Sequence, residues 1–244
     1  MDKVRIVVPI YKEILDMHEF FSLDHSLGIL SPYSCTFIAP IGLNVSYYAD
    51  RYNATFRLYQ PEFFLSVQGY HLLLPSEAFY ASFKDVEFLL ILQPDVFVFR
   101  DDLPRWLDRP FDYVGAPWPN GYELRVQAGK FAAIPDGKVI KTYVGNGGFS
   151  LRRREKCIAL IREYPEIANW FVHSGSNEDL FFSIMGSLSF DFVTPNQMMA
   201  SQFSVELDPE HYFELNGHVL PMGVHAWEKH NPDFWRAHMP PWPE

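Results

Sequence analysis

Seven residues do most to limit what this chain can fold into. Val86–Leu92, VEFLLIL, is apolar at every position but one. A strand with one wet face alternates polar and apolar residues, and a buried helix needs ten or more, so a run this short and continuous reads as a strand covered on both faces. It is the most hydrophobic run in the sequence and is expected at the centre of a sheet. Val4–Ile10, VRIVVPI, has the same character and is expected to start that sheet.

The segments between these runs switch to helical spacing. His18–Leu30 places Phe20, Phe21, Leu23, Leu27 and Leu30 along one side of a helix, and Cys35–Leu43 follows as a second strand, giving a βαβ unit. Ala54–Tyr59 reads as a third strand. Phe63–Phe83 reads as two helices or one kinked helix, interrupted at Pro75. Leu103–Val144 is rich in Pro, Gly and Trp and reads as irregular structure with short strands. Arg154–Tyr164 and Glu178–Ser187 read as amphipathic helices, and the tail from Phe203 onward as loops. The expected class is α/β, with three layers, a mostly parallel central sheet and an irregular C-terminal half. At 244 residues, with no repeat or linker, residues 1–244 are expected to form one domain.

Composition narrows the function. Hydrophobic residues make up 48% and aromatics 17%, which suits a packed core and not a disordered chain. A net charge of -10 argues against a binder of nucleic-acid backbones, which needs a basic face. The concentrated basic run, LRRREK at Leu151–Lys156, reads as a solvated helix face. The two cysteines, Cys35 and Cys157, have neither disulfide-framework nor zinc spacing, and a reducing cytoplasm fits. No stretch of about 18 apolar residues occurs, so membrane contact is expected to be at most peripheral.

Four places carry candidate chemistry. In an open parallel sheet, ligands bind beyond the carboxyl ends of the strands, where Gln93, Pro94 and Asp95 follow VEFLLIL. Asp95 reads equally as a carboxylate entering a cleft or as a turn residue bonding its own backbone. TYVGNGGFSLRR, Thr142–Arg153, carries Asn146, Gly147 and Gly148; its glycines permit close approach, and it reads as a tight turn. In SGSNEDLFFS, Ser176 or Asn177 can cap a helix whose first turn holds Glu178 and Asp179. The acids suit the helix dipole, or one is a general base aimed into a cleft. MGVHAWEKH holds His225, which with Asp95 could bind one divalent cation.

Taken in order, LLILQPDVFVF, FDYVGAPW, VGNGGFSLRR, NEDLFF, FSVE and MGVHAW resemble a bacterial glycosyltransferase family known as domain of unknown function 5672. They are also similar to GT-A-fold nucleotide-sugar transferases, among them inverting galactosyl- and N-acetylglucosaminyltransferases. The resemblance implies that Gln93 and Asp95 occupy the two ends of an Asp-x-Asp motif beside the donor diphosphate. Asp179 would be the base, with Glu178 beside it, and Asn146, Gly147, Gly148 and Trp118 would line the acceptor side. His225 would ligate metal, and Pro9, Ile10 and Tyr11 would cup the nucleotide base. Tyr113, Trp118 and Tyr122 could stack on sugars, or simply pack.

This implies an inverting enzyme that moves a hexose (galactose-type, pyranose or furanose, or an N-acetylhexosamine) from a UDP-sugar to a glycan or lipid-linked glycan. The setting would be bacterial surface polysaccharide synthesis in the cytoplasm or at the inner face of the membrane. A glutamine at position 93 brings no charge, so a Mn²⁺ or Mg²⁺ site would be weaker than one with two carboxylates. The alternatives are a metal-free site neutralised by Arg152 or Arg153, or a nucleotide-sugar- or carbohydrate-binding module without catalysis.

Overall fold

A computed structural model describes residues 2–126, 133, 137–174 and 176–241. Six strands form the main sheet: β1 (Asp2–Pro9), β2 (Cys35–Pro40), β3 (Ala54–Tyr59), β4 (Val86–Leu92), β6 (Tyr113–Val126) and β7 (Lys138–Arg153). Their order is β3-β2-β1-β4-β7-β6. The first three pairings in that order are parallel, and β7 runs antiparallel to both β4 and β6.

The two apolar runs predicted as central strands lie side by side. Leu89, Leu90, Ile91 and Leu92 of β4 are all 0% exposed. Alternation along the strand sends Leu90 and Leu92 to one face with Ile6, Val8 and Phe37, and Leu89 and Ile91 to the other with Val7 and Ile38. The first face is covered by α1 (Met17–Ile29), α5 (Leu103–Leu107) and α9 (Gln197–Phe203). The second is covered by α3 (Val67–Leu73), α4 (Glu77–Ala81), α6 (Arg154–Glu163), α7 (Pro165–Ser174) and α8 (Glu178–Leu188). The result is a three-layer α/β arrangement. Truncating Leu90 to Ala should cost about 2–5 kcal/mol, as for other fully buried leucines.

Local chemistry sets the element ends. Asp16 caps α1 by accepting from the amides of His18 and Glu19, and Glu19 returns a bond to the Asp16 amide, a reciprocal box. The Phe63–Phe83 region splits at Pro75 as expected, with a short 3₁₀ turn at Pro61–Phe64 ahead of α3.

Three expectations are corrected. Leu103–Val144 is more regular than expected, because most of β6 and the first part of β7 build a long antiparallel hairpin there. TYVGNGGFSLRR is not a turn but the end of β7, paired with β4 through Leu92–Phe149 to Phe88–Arg153. The basic run is not a solvated helix face, because Arg152 and Arg153 precede α6 and lie on β7, where Arg152 is 0% exposed.

The tail is also organised. β5 (Phe97–Val98), β8 (Ser204–Val205) and β9 (Gly223–Val224) make a second sheet in the order β5-β9-β8. With α10 (Pro209–Leu215) and α11 (Pro232–Arg236) it encloses Tyr212, Trp227 and Trp235. The Trp227 indole donates to Ser22 Oγ at 2.9 Å and so ties the tail to α1. Among the described residues, no helix is long and apolar enough to cross a membrane.

Candidate active site

From β1 the chain moves outward to β2 and β3, then returns to place β4 on the other side of β1. A reversal of this kind leaves a crevice beyond the carboxyl ends of the two strands. A cavity of about 400 Å³ occupies it, lined by Pro9 at the end of β1 and Tyr11 beyond it, by Gln93, Pro94 and Asp95 after β4, and by Glu19 and Lys229. Its remaining wall runs from Phe64 to Ser66 and includes Tyr70 and His71. A wider, open depression of about 720 Å³, with Arg5, Cys35 and Ala54 on its lining, lies at the amino ends of the strands.

Gln93–Val96 is a β-turn closed by the Val96 amide donating to Gln93 O at 3.0 Å, with proline at its second position. Ser26 Oγ pins the turn to α1, donating to Val96 O and accepting from the Val98 amide, both at 2.9 Å. The Asp95 carboxylate pairs with His225 Nε2 and with Lys229 Nζ, both at 3.2 Å. The small sheet makes this meeting possible: Phe97 pairs with Val224 and Val205 with Val224, so Asp95, Glu206 and His225 emerge together.

His225 is held on both sides. Nδ1 donates to Glu206 Oε2 at 2.5 Å, and Nε2 lies 2.9 Å from Gln93 Oε1. Burial opposes its charge, but Asp95 and Glu206 outweigh burial and raise its pKa to about 10. Burial likewise opposes the Asp95 charge, yet the His225 cation holds that carboxyl below its ordinary range.

On the opposite face of β7 lies a second cluster. Arg152 Nη2 donates to Glu178 Oε1 at 2.8 Å, with the two side chains 0% and 3% exposed. The guanidinium also donates to Ser150 Oγ at 3.0 Å and Tyr80 OH at 3.1 Å, and it packs over the Tyr113 ring. The second Glu178 oxygen, Oε2, is 2.5 Å from His71 Nδ1. Asp179, next in the chain, is buried, and its Oδ1 has no hydrogen-bond partner.

The two acids are driven apart. Burial disfavours the Glu178 charge, but His71 and Arg152 hold its carboxyl below the usual range. For Asp179 the balance tips the other way: burial, with the charge of Glu178 beside it, outweighs His71, Arg152 and the Leu180 amide and pushes its pKa up to about 7. Adjacent carboxyls with opposed protonation preferences characterise acid–base sites.

Gly147 and Gly148 make room for both clusters. A Cβ at Gly147 would stand 2.8 Å from Arg152 Nη2 and 2.9 Å from Glu178 Oε1, and one at Gly148 would sit inside the His225 ring's van der Waals contact. The glycine signal in the sequence reflects close approach, and no turn is involved.

The sequence candidates fall out as follows. Pro9, Tyr11, Gln93 and Asp95 line the cleft, and His225 joins Asp95 at its edge. The Ile10 side chain turns into the core at 1% exposure. Arg152 is fully engaged with Glu178, and Arg153 pairs with Asp112 and Glu87, so neither is placed to meet a diphosphate at Asp95. Tyr113 is fully buried and stacks on Phe182, while Trp118 and Tyr122 pack against each other. Asn146 is half-buried on β7. Asn177 occupies the cap position of α8 without a side-chain capping bond.

Sequence reasoning missed His71, Glu206 and Lys229. The tail motifs FSVE and HAWEKH contain two of them, whereas His71 sits inside a helix with no spacing signal. Among the described residues, no three His, Cys, Asp or Glu side chains form a group that could hold a metal ion.

The likeness to known structures is one of fold. The galactosyltransferase LgtC in complex with donor and acceptor sugar analogues is 15% identical, with 91% of this chain and 86% of LgtC covered and a TM-score of 0.55. An active-site mutant of LgtC gives 17% identity over the same shares, with a TM-score of 0.52. A glycosyltransferase involved in the glycosylation of the major capsid of PBCV-1 is 10% identical, covers 92% of each chain and has a TM-score of 0.48. The architecture shared with LgtC is the GT-A fold. No curated protein matches the sequence. Residues 53–225 match the model of the family described as protein of unknown function (DUF5672), well over half of the chain, and the chain belongs to that family.

Proposed function

We propose that residues 1–244 form one glycosyltransferase domain that moves a hexosyl group from a UDP-sugar to a glycan or lipid-linked glycan, with inversion. Bacterial surface polysaccharide synthesis at the cytoplasmic side of the membrane is the proposed setting. One observation carries the reading. The cleft at the β1/β4 reversal is lined by Asp95 and Lys229, which join His225, and by His71, which bonds Glu178, the buried neighbour of Asp179. The GT-A fold of LgtC, whose structure holds donor and acceptor sugar analogues, supports glycosyl transfer and carries no support for inversion.

The proposed reaction is a single displacement at the anomeric carbon. Asp179, with an unpartnered oxygen and a pKa near neutrality, accepts the proton of the attacking acceptor hydroxyl. Lys229 lies on the cleft wall with its side chain 67% exposed and offers positive charge to the departing diphosphate. It takes the part that the sequence suggested for Arg152 and Arg153. Tyr11 and Phe64 give the cleft aromatic surface for a nucleotide base or a sugar.

The donor atoms around His225 fit a divalent cation. Asp95 Oδ1 and Gln93 Oε1 lie 3.2 and 2.9 Å from Nε2, and Glu206 holds Nδ1 from behind, as carboxylates do for metal-binding histidines. Asp95, His225 and Gln93 would hold Mn²⁺ or Mg²⁺, whose charge would help neutralise the diphosphate. With one carboxylate among the three, the site would be weaker than a two-carboxylate site.

The test is a thermal-shift screen of nucleotide sugars with and without Mn²⁺, followed by assay of donor hydrolysis and transfer for those that bind. A rise in melting temperature with a UDP-sugar, accompanied by turnover, is expected. If no nucleotide sugar shifts the transition, the reading is wrong. Binding without hydrolysis or transfer would favour a nucleotide-sugar-binding module, the reading that the uncharged Gln93 supports.

A further inference from the structure

His71 is the point where the cleft touches the buried charge network. It lines the cavity with Pro9, Gln93 and Asp95, yet its Nδ1 is 2.5 Å from a carboxylate that is 3% exposed. Glu178 is fixed in turn, because its other oxygen accepts from the fully buried Arg152. The two nitrogens of an imidazole diverge, so tying Nδ1 to the interior leaves Nε2 as the polar atom for the cleft. Among the described residues, the hydrogen bonds of His71 use Nδ1 and not Nε2.

The ends of the cleft differ. Asp95, His225 and Lys229 meet on the Gly148 side of β7, and Arg152, Glu178 and His71 on the Gly147 side. A sugar nucleotide whose diphosphate lies against Lys229 therefore extends its sugar toward His71, where a neutral, hydroxyl-bearing group suits one fixed imidazole nitrogen.

Resting on the glycosyl-transfer reading, we propose that His71 is a specificity-determining residue that hydrogen-bonds a hydroxyl of the transferred sugar through Nε2, with Glu178 as its positioning residue. The contact discriminates sugar-bearing donors from bare nucleotide. It adds nothing to the binding of UDP alone.

Calorimetric titration of wild type and His71→Asn with UDP, and with the UDP-sugar giving the largest thermal shift, tests this. Asparagine places an amide nitrogen where Nδ1 stood and keeps the bond to Glu178, but lacks an Nε2 equivalent. The variant should melt like wild type, bind UDP within about twofold, and bind the UDP-sugar about tenfold more weakly, the loss of one hydrogen bond. Equal weakening of both ligands, or of neither, overturns the proposal. If His71→Asn melts early, nitrogen NMR of the wild-type imidazole decides: the Nε2 resonance should move on adding the UDP-sugar and stay still with UDP, and an unmoved resonance rejects the contact. Should wild type bind no nucleotide sugar, the glycosyl-transfer reading falls and takes this one with it. If wild type binds the sugar donor and the variant binds it equally well, only the role of His71 is lost.

Discussion

Gly147 and Gly148 are neighbours in β7, yet the space each leaves is filled by a different charge cluster, Arg152 with Glu178 on one face and the His225 ring on the other. A strand in the middle of a sheet rarely gives up two consecutive side chains, because that forfeits packing and costs backbone entropy. Here the loss lets charged groups press against both faces of one strand.

Adding a methyl at either glycine should separate the clusters functionally. Gly148→Ala should displace His225 and weaken Mn²⁺-dependent donor binding at least tenfold, with overpacking costing about 1–3 kcal/mol. Gly147→Ala should leave the Mn²⁺ response intact while lowering turnover. Thermal shift with Mn²⁺ and UDP, set beside transfer rates, separates the two. Identical effects from both would argue that the faces are not independent.

Asp179→Asn should abolish transfer while donor binding persists. The Asp179 pKa is raised in the folded protein to about 7 from an ordinary 3.8, so the folded state holds a proton that the unfolded chain has lost. Stability therefore falls as pH rises between those values and levels off above about 7. The variant should gain melting temperature over wild type at pH 8, and the gain should vanish by pH 4. Wild-type kcat should rise with pH through about 7, as the base ionises. Turnover near the wild-type level in Asp179→Asn would remove it as the base.

Arg152→Met removes one partner of a buried ion pair and strands Glu178 beside Asp179. A loss of about 3–5 kcal/mol is expected, read as a lower urea midpoint. Lysine should not rescue it, because its ammonium cannot reproduce the planar fork shared among Ser150, Tyr80 and Glu178. A midpoint within experimental error of wild type would show that the network is not structural.

Gln93→Asp restores a second carboxylate and should tighten Mn²⁺ binding about tenfold or more. Metal must displace the His225 proton, whose pKa is about 10, so the Mn²⁺-induced thermal shift should grow with pH between 6 and 9. EDTA should slow the wild-type enzyme. Indifference to EDTA, with no Mn²⁺ shift at any pH, would leave Lys229 as the neutralising group.

The parallel half of the sheet was legible because β1, β2 and β4 are buried on both faces and carry nothing but apolar side chains over most of their length. The β6/β7 hairpin was hidden by its own composition. Pro117 and Gly121 sit in β6, where register shifts accompany them, and β6 is an edge strand, the place in a sheet where proline is tolerated. In LRRREK, alternation along a strand put Arg152 in the interior, which a helical reading could not foresee. Asp95 was legible because it ends the most apolar strand. His225 needed β5, β8 and β9, each two residues long, to reach it, and strands that short leave no periodic trace.

The pairing of Asp95 with Lys229 joins residues separated by 134 positions. A nascent chain that has emerged only through β7 contains every strand of the main sheet but lacks both His225 and Lys229, so neither cation stands opposite the Asp95 carboxylate. On the proposed reading of the cleft, ligand affinity arrives late in synthesis. A protease cut between β8 and His225 should leave the sheet folded while the nucleotide grip is lost.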